Sequence, residues 1–246
     1  MGIQRELVRQ GNWLFRWRGL LPLVFLVPLA IGVATMHWPW GSYVLHEVWE
    51  FVALGVSVLG LLVRVITVGH TPARTSGRNT RCQVAEELNT TGVYSVVRHP
   101  LYLGNFIIGL GVALVPAEAW LAALYGLAFW LYYERIMAAE ESYLKEKFGD
   151  AFDAWVARTP AFVPRLRNWT RPALPFSLRN ALRREYTAAT LIVLCHTAIE
   201  VAEHLVIEHE FKLELVWMLM LGIALTGYVV LRTLKRHTHL LHVEGR

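Results

Sequence analysis

Apolar residues fall along this chain in long blocks, not in the every-second-residue alternation of strands, and a block of roughly 20 apolar residues can cross a bilayer. Residues 19–36 form the first block and carry no charge. Residues 44–68 form the second, with His46, Glu47 and Glu50 near its start and Arg64 near its end. Residues 101–115 and 120–133 are two shorter blocks, separated by Pro116, Ala117, Glu118 and Ala119, a pattern that predicts a tight helical hairpin. A fifth block over residues 186–207 contains polar groups, and the sixth covers residues 215–231. The pattern predicts an all-α fold, a polytopic membrane bundle of about six transmembrane helices. Basic residues precede the first block as in a secretory signal, but no small-residue cleavage site follows, so it is expected to be retained.

Lys and Arg collect on the cytoplasmic flanks of membrane helices. Here the segment before the first block holds Arg5, Arg9, Arg16 and Arg18, while the link to the second holds no Lys or Arg. The next link holds Arg74, Arg78, Arg81 and Arg98, the hairpin tip holds none, and residues 134–185 are the most basic part of the chain. All but Arg64 and Lys212 of the 24 Lys and Arg residues fall on one side of a six-span arrangement. N- and C-termini are therefore both expected in the cytoplasm.

Composition agrees with this reading. Hydrophobic residues make up 55% of the 246 and charged residues only 17%, which excludes a disordered chain. Two cysteines, Cys82 and Cys195, exclude a disulfide scaffold. The net charge of +5 is explained by topology and by attraction to anionic headgroups, so the expected partners are the bilayer and a membrane lipid, with no nucleic acid. The proline-containing stretch 160–175 divides a four-span module, residues 1–165, from a two-span module, residues 166–246. The tail of the second module holds His237, His239 and His242 among basic residues.

The hairpin brings two sets of polar residues side by side, since its arms climb and descend through similar lengths at about 1.5 Å per residue. One arm presents Arg98, His99 and Tyr102; the other presents Tyr133, Glu134, Arg135, Glu140 and Glu141. Pro100 suits a first helical turn, and the amides of a helix start favour a negative group. Such a basic pocket facing a carboxylate pair suits an anionic substrate and a charged cofactor. The same residues would equally serve as interfacial anchors and helix caps.

Thr91-Gly92-Val93-Tyr94 followed by Arg98-His99-Pro100-Leu101-Tyr102-Leu103-Gly104 resembles the signature of the isoprenylcysteine carboxyl methyltransferase and phospholipid methyltransferase superfamily. Glu140-Glu141, Leu144, Phe148-Gly149, Phe152, Trp155, Pro160 and Pro164 resemble its second half. The resemblance covers about residues 88–165. It implies methyl transfer from S-adenosylmethionine to a lipid-soluble acceptor, with the cofactor site open to the cytoplasm, here of a bacterial inner membrane. Gly92, Tyr94, His99, Pro100, Tyr102, Gly104 and Glu140 would surround the cofactor; Arg98, with Glu140 or Glu141, would carry catalysis at the acceptor. Phe152 and Trp155 depart from the family, where a tyrosine is common, and the module beyond Pro164 exceeds its simplest members. Membrane sterol reductases carry a similar Arg-His-Pro-x-Tyr-x-Gly string for NADPH. The Glu-Glu-x-x-Leu segment, with no added basic residues for a 2′-phosphate, favours the methyltransferase.

Methyl transfer is an in-line displacement at a sulfonium, so catalysis rests on alignment and exclusion of water. An oxyanion acceptor needs only an orienting arginine, whereas an amine would need a base such as a glutamate. Arg74, Arg78, Asn79 and Arg81 lie among hydroxyl residues and suit a phosphate headgroup. This stretch is similar to bacterial lipid A 1-phosphate methyltransferases, which implies a lipid phosphate oxygen as acceptor. An isoprenylcysteine carboxylate or a phospholipid amine is the alternative.

His196, Glu200, Glu203 and His204 share one face of the fifth block, where ionisable groups are costly and usually turn inward. One helix cannot complete a metal's coordination, and the nearest other candidates are His46, Glu47 and Glu50, should the second and fifth blocks touch. Hydrogen-bonded helix packing is the expectation for this face, and no metal is assigned.

Overall fold

A computed structural model of the chain describes residues 2–38, 41–72 and 85–246. Nine α-helices are described: α1 (Gly2–Trp17), α2 (Leu26–Ala34), α3 (Tyr43–Gly69), α4 (Val93–Val96), α5 (Pro100–Leu114), α6 (Ala119–Phe148), α7 (Asp150–Val156), α8 (Leu178–Ile207) and α9 (Leu215–His237). No β-strand occurs among the described residues; one isolated bridge joins Gly92 to Thr170. The fold is an all-α membrane helix bundle.

Helices α3, α8 and α9 are each long and apolar enough to cross a bilayer, and α1 with residues 21–34 makes a fourth if that bent pair is taken as one span. Helix α5, the shorter arm of the predicted hairpin, is about 22 Å long at ~1.5 Å per residue. Its partner α6 extends well beyond the apolar block 120–133, continuing as one helix through Glu140 and Glu141 to Phe148. Large apolar residues such as Leu127, Ile223 and Val229 lie exposed on the outside of the bundle, as a lipid-facing surface requires. Only Trp217 of α9 is buried.

The first apolar block is not one straight span. A 3-10 turn, Leu21–Phe25, with Pro22 in its first turn, separates α1 from α2, and the chain bends by 84° there. Proline lacks the N–H that a continuing helix needs but suits a new first turn. Helix α1 lies against α6, with Gly11 and Phe15 buried. A Cβ on Gly11 would sit 1.9 Å from the carbonyl oxygen of Arg135, so the two helices meet backbone to backbone.

The most extensive helix contact among the described residues joins α3 to α5. A Cβ on Gly60 would lie 2.6 Å from the Ile108 nitrogen and 2.7 Å from the Gly104 oxygen. Small residues permit such an approach between membrane helices. Helix α8 packs on α3, and α9 on α8. Three buried polar contacts tie α8 to α3 in antiparallel order: Glu185 to Arg64, His196 to Ser57, and Glu203 to His46. The second and fifth apolar blocks do touch.

Candidate active site at the start of helix α5

The chain reaches α5 through a bracket of backbone and side-chain hydrogen bonds. Gly92 takes φ +59°, a conformation that favours glycine, and its N–H donates to Thr170 O at 3.1 Å. Ser95 Oγ accepts from the Thr170 N–H (2.9 Å) and donates to Gly92 O (2.7 Å). The Trp155 indole N–H donates to Tyr94 O (2.9 Å). Trp155 thus holds the Gly92–Tyr94 turn by its own donor. The segment between Pro160 and Pro164 runs alongside: Arg98 N donates to Pro160 O (2.9 Å), and His99 N to Ala161 O (3.2 Å). The two prolines therefore flank a segment that pins the residues entering α5.

Pro100 occupies the first turn of α5, and His99 is its N-cap. His99 is 6% exposed. Its Nε2 lies 2.9 Å from Glu141 Oε1 and its Nδ1 lies 3.5 Å from Glu140 Oε2. Arg98 Nε donates to that same Glu141 oxygen at 2.9 Å, and its Nη1 donates to Thr159 O at 3.1 Å. Burial alone would lower the His99 pKa, but hydrogen bonds and charge from Glu140 and Glu141 outweigh it and raise the pKa above its ordinary value. Burial would likewise raise the Glu141 pKa, yet His99 and Arg98 hold it below the ordinary carboxylate value. The result is an imidazole and a guanidinium sharing one carboxylate oxygen, with Glu140, 31% exposed along its side chain, at the open edge.

Aromatic rings floor the cluster. His99 stacks on Tyr102 (centroids 5.6 Å apart, planes 15° apart), and Tyr102 meets Tyr133 at 4.7 Å. Tyr133 OH accepts from Asn105 Nδ2 at 3.2 Å, and Asn105 Oδ1 accepts from Arg64 Nη1. Arg64 in turn binds Glu185 through two nitrogens, at 2.7 and 2.9 Å. A polar path therefore leads from the start of α5 into the middle of the bundle. At its far end Glu185 lines an open apolar groove of about 470 Å³ between α3, α8 and α9, with Leu61, Val65, Ala181, Met220 and Tyr228.

Of the residues singled out in the sequence, Arg98, His99, Pro100, Tyr102, Glu140 and Glu141 converge. Gly92 and Tyr94 sit on the adjoining turn, where they bond to Thr170 and Trp155. Gly104 faces α3 instead: a Cβ there would lie 2.5 Å from Arg64 Cγ and 2.9 Å from Gly60 O. Arg74, Arg78, Asn79, Arg81 and Cys82 lie outside the described residues. The sequence did not single out Asn105 or Glu185, nor the pairing of Arg64. The signal was an arginine inside an apolar block, which demands an anionic partner, but that partner is 121 residues away.

The helices and this cluster define a polytopic membrane protein with a charged, largely buried site at one end of its bundle. Residues 49–151, which include the site from α3 through Glu141, match the family model for phospholipid methyltransferases. That segment is similar to the isoprenylcysteine carboxyl methyltransferase and phospholipid methyltransferase superfamily. It is similar to the nickel-cobalt-cadmium resistance protein NccN of Alcaligenes xylosoxydans xylosoxydans, 37% identical over 153 residues, covering 61% of this chain and 63% of that one. It is similar to the protein-S-isoprenylcysteine O-methyltransferase of Schizosaccharomyces pombe, 34% identical over 77 residues, 31% of this chain and 33% of that one. The cobalt-zinc-cadmium resistance protein CzcN of Cupriavidus metallidurans is 35% identical over 126 residues, 49% of this chain and 56% of that one. The chain thus spans less than two thirds of the length of each. No solved structure matches it.

Proposed function

We propose that this protein is an integral membrane S-adenosylmethionine-dependent methyltransferase acting on an oxyanion carried by a lipid. The observation that carries this reading is the cluster of Arg98, His99, Glu140 and Glu141 at the start of α5, within the segment matched by the family. The residues suit that cofactor. Glu140, partly exposed at the open edge, offers a carboxylate for its ammonium or sulfonium charge. When bound, the cofactor supplies an electrophilic methyl group on a positively charged sulfur.

The chain's own residues then align and desolvate. Glu141 holds Arg98 and His99 in one geometry, and the 2.9 Å bonds to a shared oxygen leave neither free to swing. The Arg98 guanidinium presents positive charge toward an anionic acceptor, which already has the lone pair it needs and requires no base. The buried aromatic floor keeps water, a competing nucleophile, away from the methyl group.

The apolar groove between α3, α8 and α9 is the seat we propose for the acceptor's lipid chain, with Glu185 and Arg64 marking its polar end. A lipid phosphate oxygen of the lipid A 1-phosphate type and the carboxylate of an isoprenylcysteine make the same demand for an oriented oxyanion. The basic, hydroxyl-rich residues 74–81 favour the phosphate, and the names of the eukaryotic relatives favour the carboxylate. We assign the site to the cytoplasmic face of a bacterial inner membrane because Lys and Arg crowd that end of the spans. The two metal-resistance relatives suggest metal stress as the setting.

The test is incubation of purified protein with methyl-labelled S-adenosylmethionine and, in separate arms, a total bacterial lipid extract and a farnesylcysteine analogue. A single-methyl mass gain on a phospholipid or lipid A species supports the phosphate, and gain on the analogue supports the carboxylate. Binding of NADPH without S-adenosylmethionine would overturn the proposal in favour of a reductase.

A further inference from the structure

A second polar cluster lies at the opposite end of α3. Glu50 is 14 residues from Arg64, about 21 Å along the helix at ~1.5 Å per residue. His46 and Glu50 of α3 meet Glu200, Glu203 and His204 of α8, and all five are at most 3% exposed. His46 Nε2 lies 2.6 Å from Glu203 Oε2 and 3.7 Å from Glu50 Oε1. The carboxyls of Glu50 and Glu200 face each other, and His204 Nε2 lies 3.2 Å from Glu200 Oε1. Trp38 Nε1 donates to the second Glu203 oxygen at 2.9 Å, and Glu208 Oε2 lies 2.9 Å from His204 Nδ1. His204 and Glu203 are thereby oriented by outer partners, as metal-ligating side chains commonly are.

Hydrogen-bonded helix packing, the expectation from sequence, does not account for this arrangement. Three carboxylates are withdrawn into the bundle, and among the described residues no Lys or Arg forms an ion pair with Glu50, Glu200 or Glu203. Two imidazoles, His46 and His204, face these three carboxylates, and buried negative charge in excess is strongly unfavourable. Packing would also satisfy each buried polar atom, whereas Glu50 Oε1, in the middle of the group, and His46 Nδ1 have no hydrogen-bond partner. A cation between these side chains would neutralise the carboxylates and occupy the free oxygen.

We propose that this cluster is a binding site for a first-row divalent cation, held by His46, Glu50 and Glu203 with Glu200 and His204 beside it. One ligand atom from each of His46, Glu50 and Glu203 lies within 4.8 Å of the other two. Ligands on one tetrahedral ion at bond lengths of about 2.0–2.1 Å stand roughly 3.3 Å apart. The 2.6 Å contact would therefore open and the 3.7 Å contact close, each by well under an ångström. Imidazole and carboxylate without thiolate suit Zn²⁺, Co²⁺ or Ni²⁺. Glu200, His204 and Glu214 form a second group of the same spacing next to it, so the site has reserve ligands within reach. This inference does not rest on methyl transfer; a protein that failed to bind S-adenosylmethionine would leave it standing.

The test uses full-length protein in nanodiscs after chelator treatment, titrated with Co²⁺ and followed by its visible absorption. Saturable binding displaced by Zn²⁺ but not by Ca²⁺ is the expected result. Glu50→Gln, nearly isosteric, should lower the Co²⁺ affinity at least about tenfold, and Zn²⁺ should raise the melting temperature of the parent protein but not of that variant. Substitution of the tail histidines His237, His239 and His242 by alanine should leave Co²⁺ binding unchanged. Absence of saturable binding, equal binding by the parent and Glu50→Gln, or loss of binding only in the tail variant would each overturn the proposal.

Discussion

Arg98 and His99, adjacent in the chain, bind the same Glu141 oxygen from two sides, each at 2.9 Å. Glu141 is therefore the brace of the cluster, and Glu140, one residue earlier on α6, is the carboxylate left toward the open edge. The two glutamates separate into different roles because consecutive helical residues point about 100° apart.

Substituting them one at a time should expose that division. Glu140→Gln should weaken S-adenosylmethionine binding by about tenfold or more, roughly 1.4 kcal/mol, with little change in melting temperature. Glu141→Gln should also lower the melting temperature, since a hydrogen bond to a charged group contributes about 1.5–3 kcal/mol and this site keeps part of that after solvent screening. Arg98→Ala should abolish methyl incorporation in a folded protein. Calorimetric titration and thermal unfolding read the two effects apart, and equal behaviour of the glutamate variants would show the division to be wrong.

The cluster also sets a pH dependence. His99 has a raised pKa in the fold, so its contribution is complete below its ordinary value of 6.5 and is lost as pH rises through the raised value. Glu141 has a lowered pKa, so its contribution is complete above its ordinary value of 4.5 and is lost as pH falls through the lowered value. Both are complete between pH 4.5 and 6.5. The melting-temperature difference between the parent and His99→Gln should be largest in that window and shrink on the alkaline side. A difference that grows with rising pH would reverse the assignment.

Arg64 and Glu185 form the buried ion pair that ties α3 to α8. Removing one partner leaves a charge withdrawn from water, at a cost of about 3–5 kcal/mol. Glu185→Ala should therefore destabilise the bundle by an amount near that range, as read from denaturant or thermal unfolding in detergent. Substitution of both residues by Leu and Met should recover much of the loss.

Two glycines of α3 give an internal comparison. A Cβ on Gly60 meets the α5 backbone at 2.6 Å, whereas one on Gly55 meets nothing within 4 Å. Gly60→Ala should cost about 1–3 kcal/mol by forcing the helices apart. Gly55→Ala should be neutral or stabilising by up to about 1 kcal/mol, the ordinary helix preference for alanine. Paired melting curves of the two variants check this.

Much of the bundle was legible in hydropathy. The second block, read as residues 44–68, became Tyr43–Gly69, and the sixth, read as residues 215–231, became the start of Leu215–His237. Arg98-His99-Pro100 marked the start of α5, because proline at a first turn is a local rule. The bend between α1 and α2 was not read, although Pro22 lay in view, because an unbroken apolar run looks the same whether the helix is straight or restarts. The second half of α6, residues 134–148, and the start of α8, residues 178–185, were missed because their charged turns leave the apolar block while the helix continues.

By itself the amino-acid sequence determined which segments leave water and which short strings stand at their ends, since burial in lipid and helix capping act over one segment at a time. Only the tertiary structure decided which faces meet. Gly60 and Gly104 let α3 and α5 close on one another, and that approach sets where α8 can lie. From it follow the pairing of Arg64 with Glu185 across 121 residues and of His46 with Glu203 across 157. Such pairs depend on the fit of helix surfaces and on the cost of leaving a charge alone in the bilayer, and neither is written in the spacing of residues along the chain.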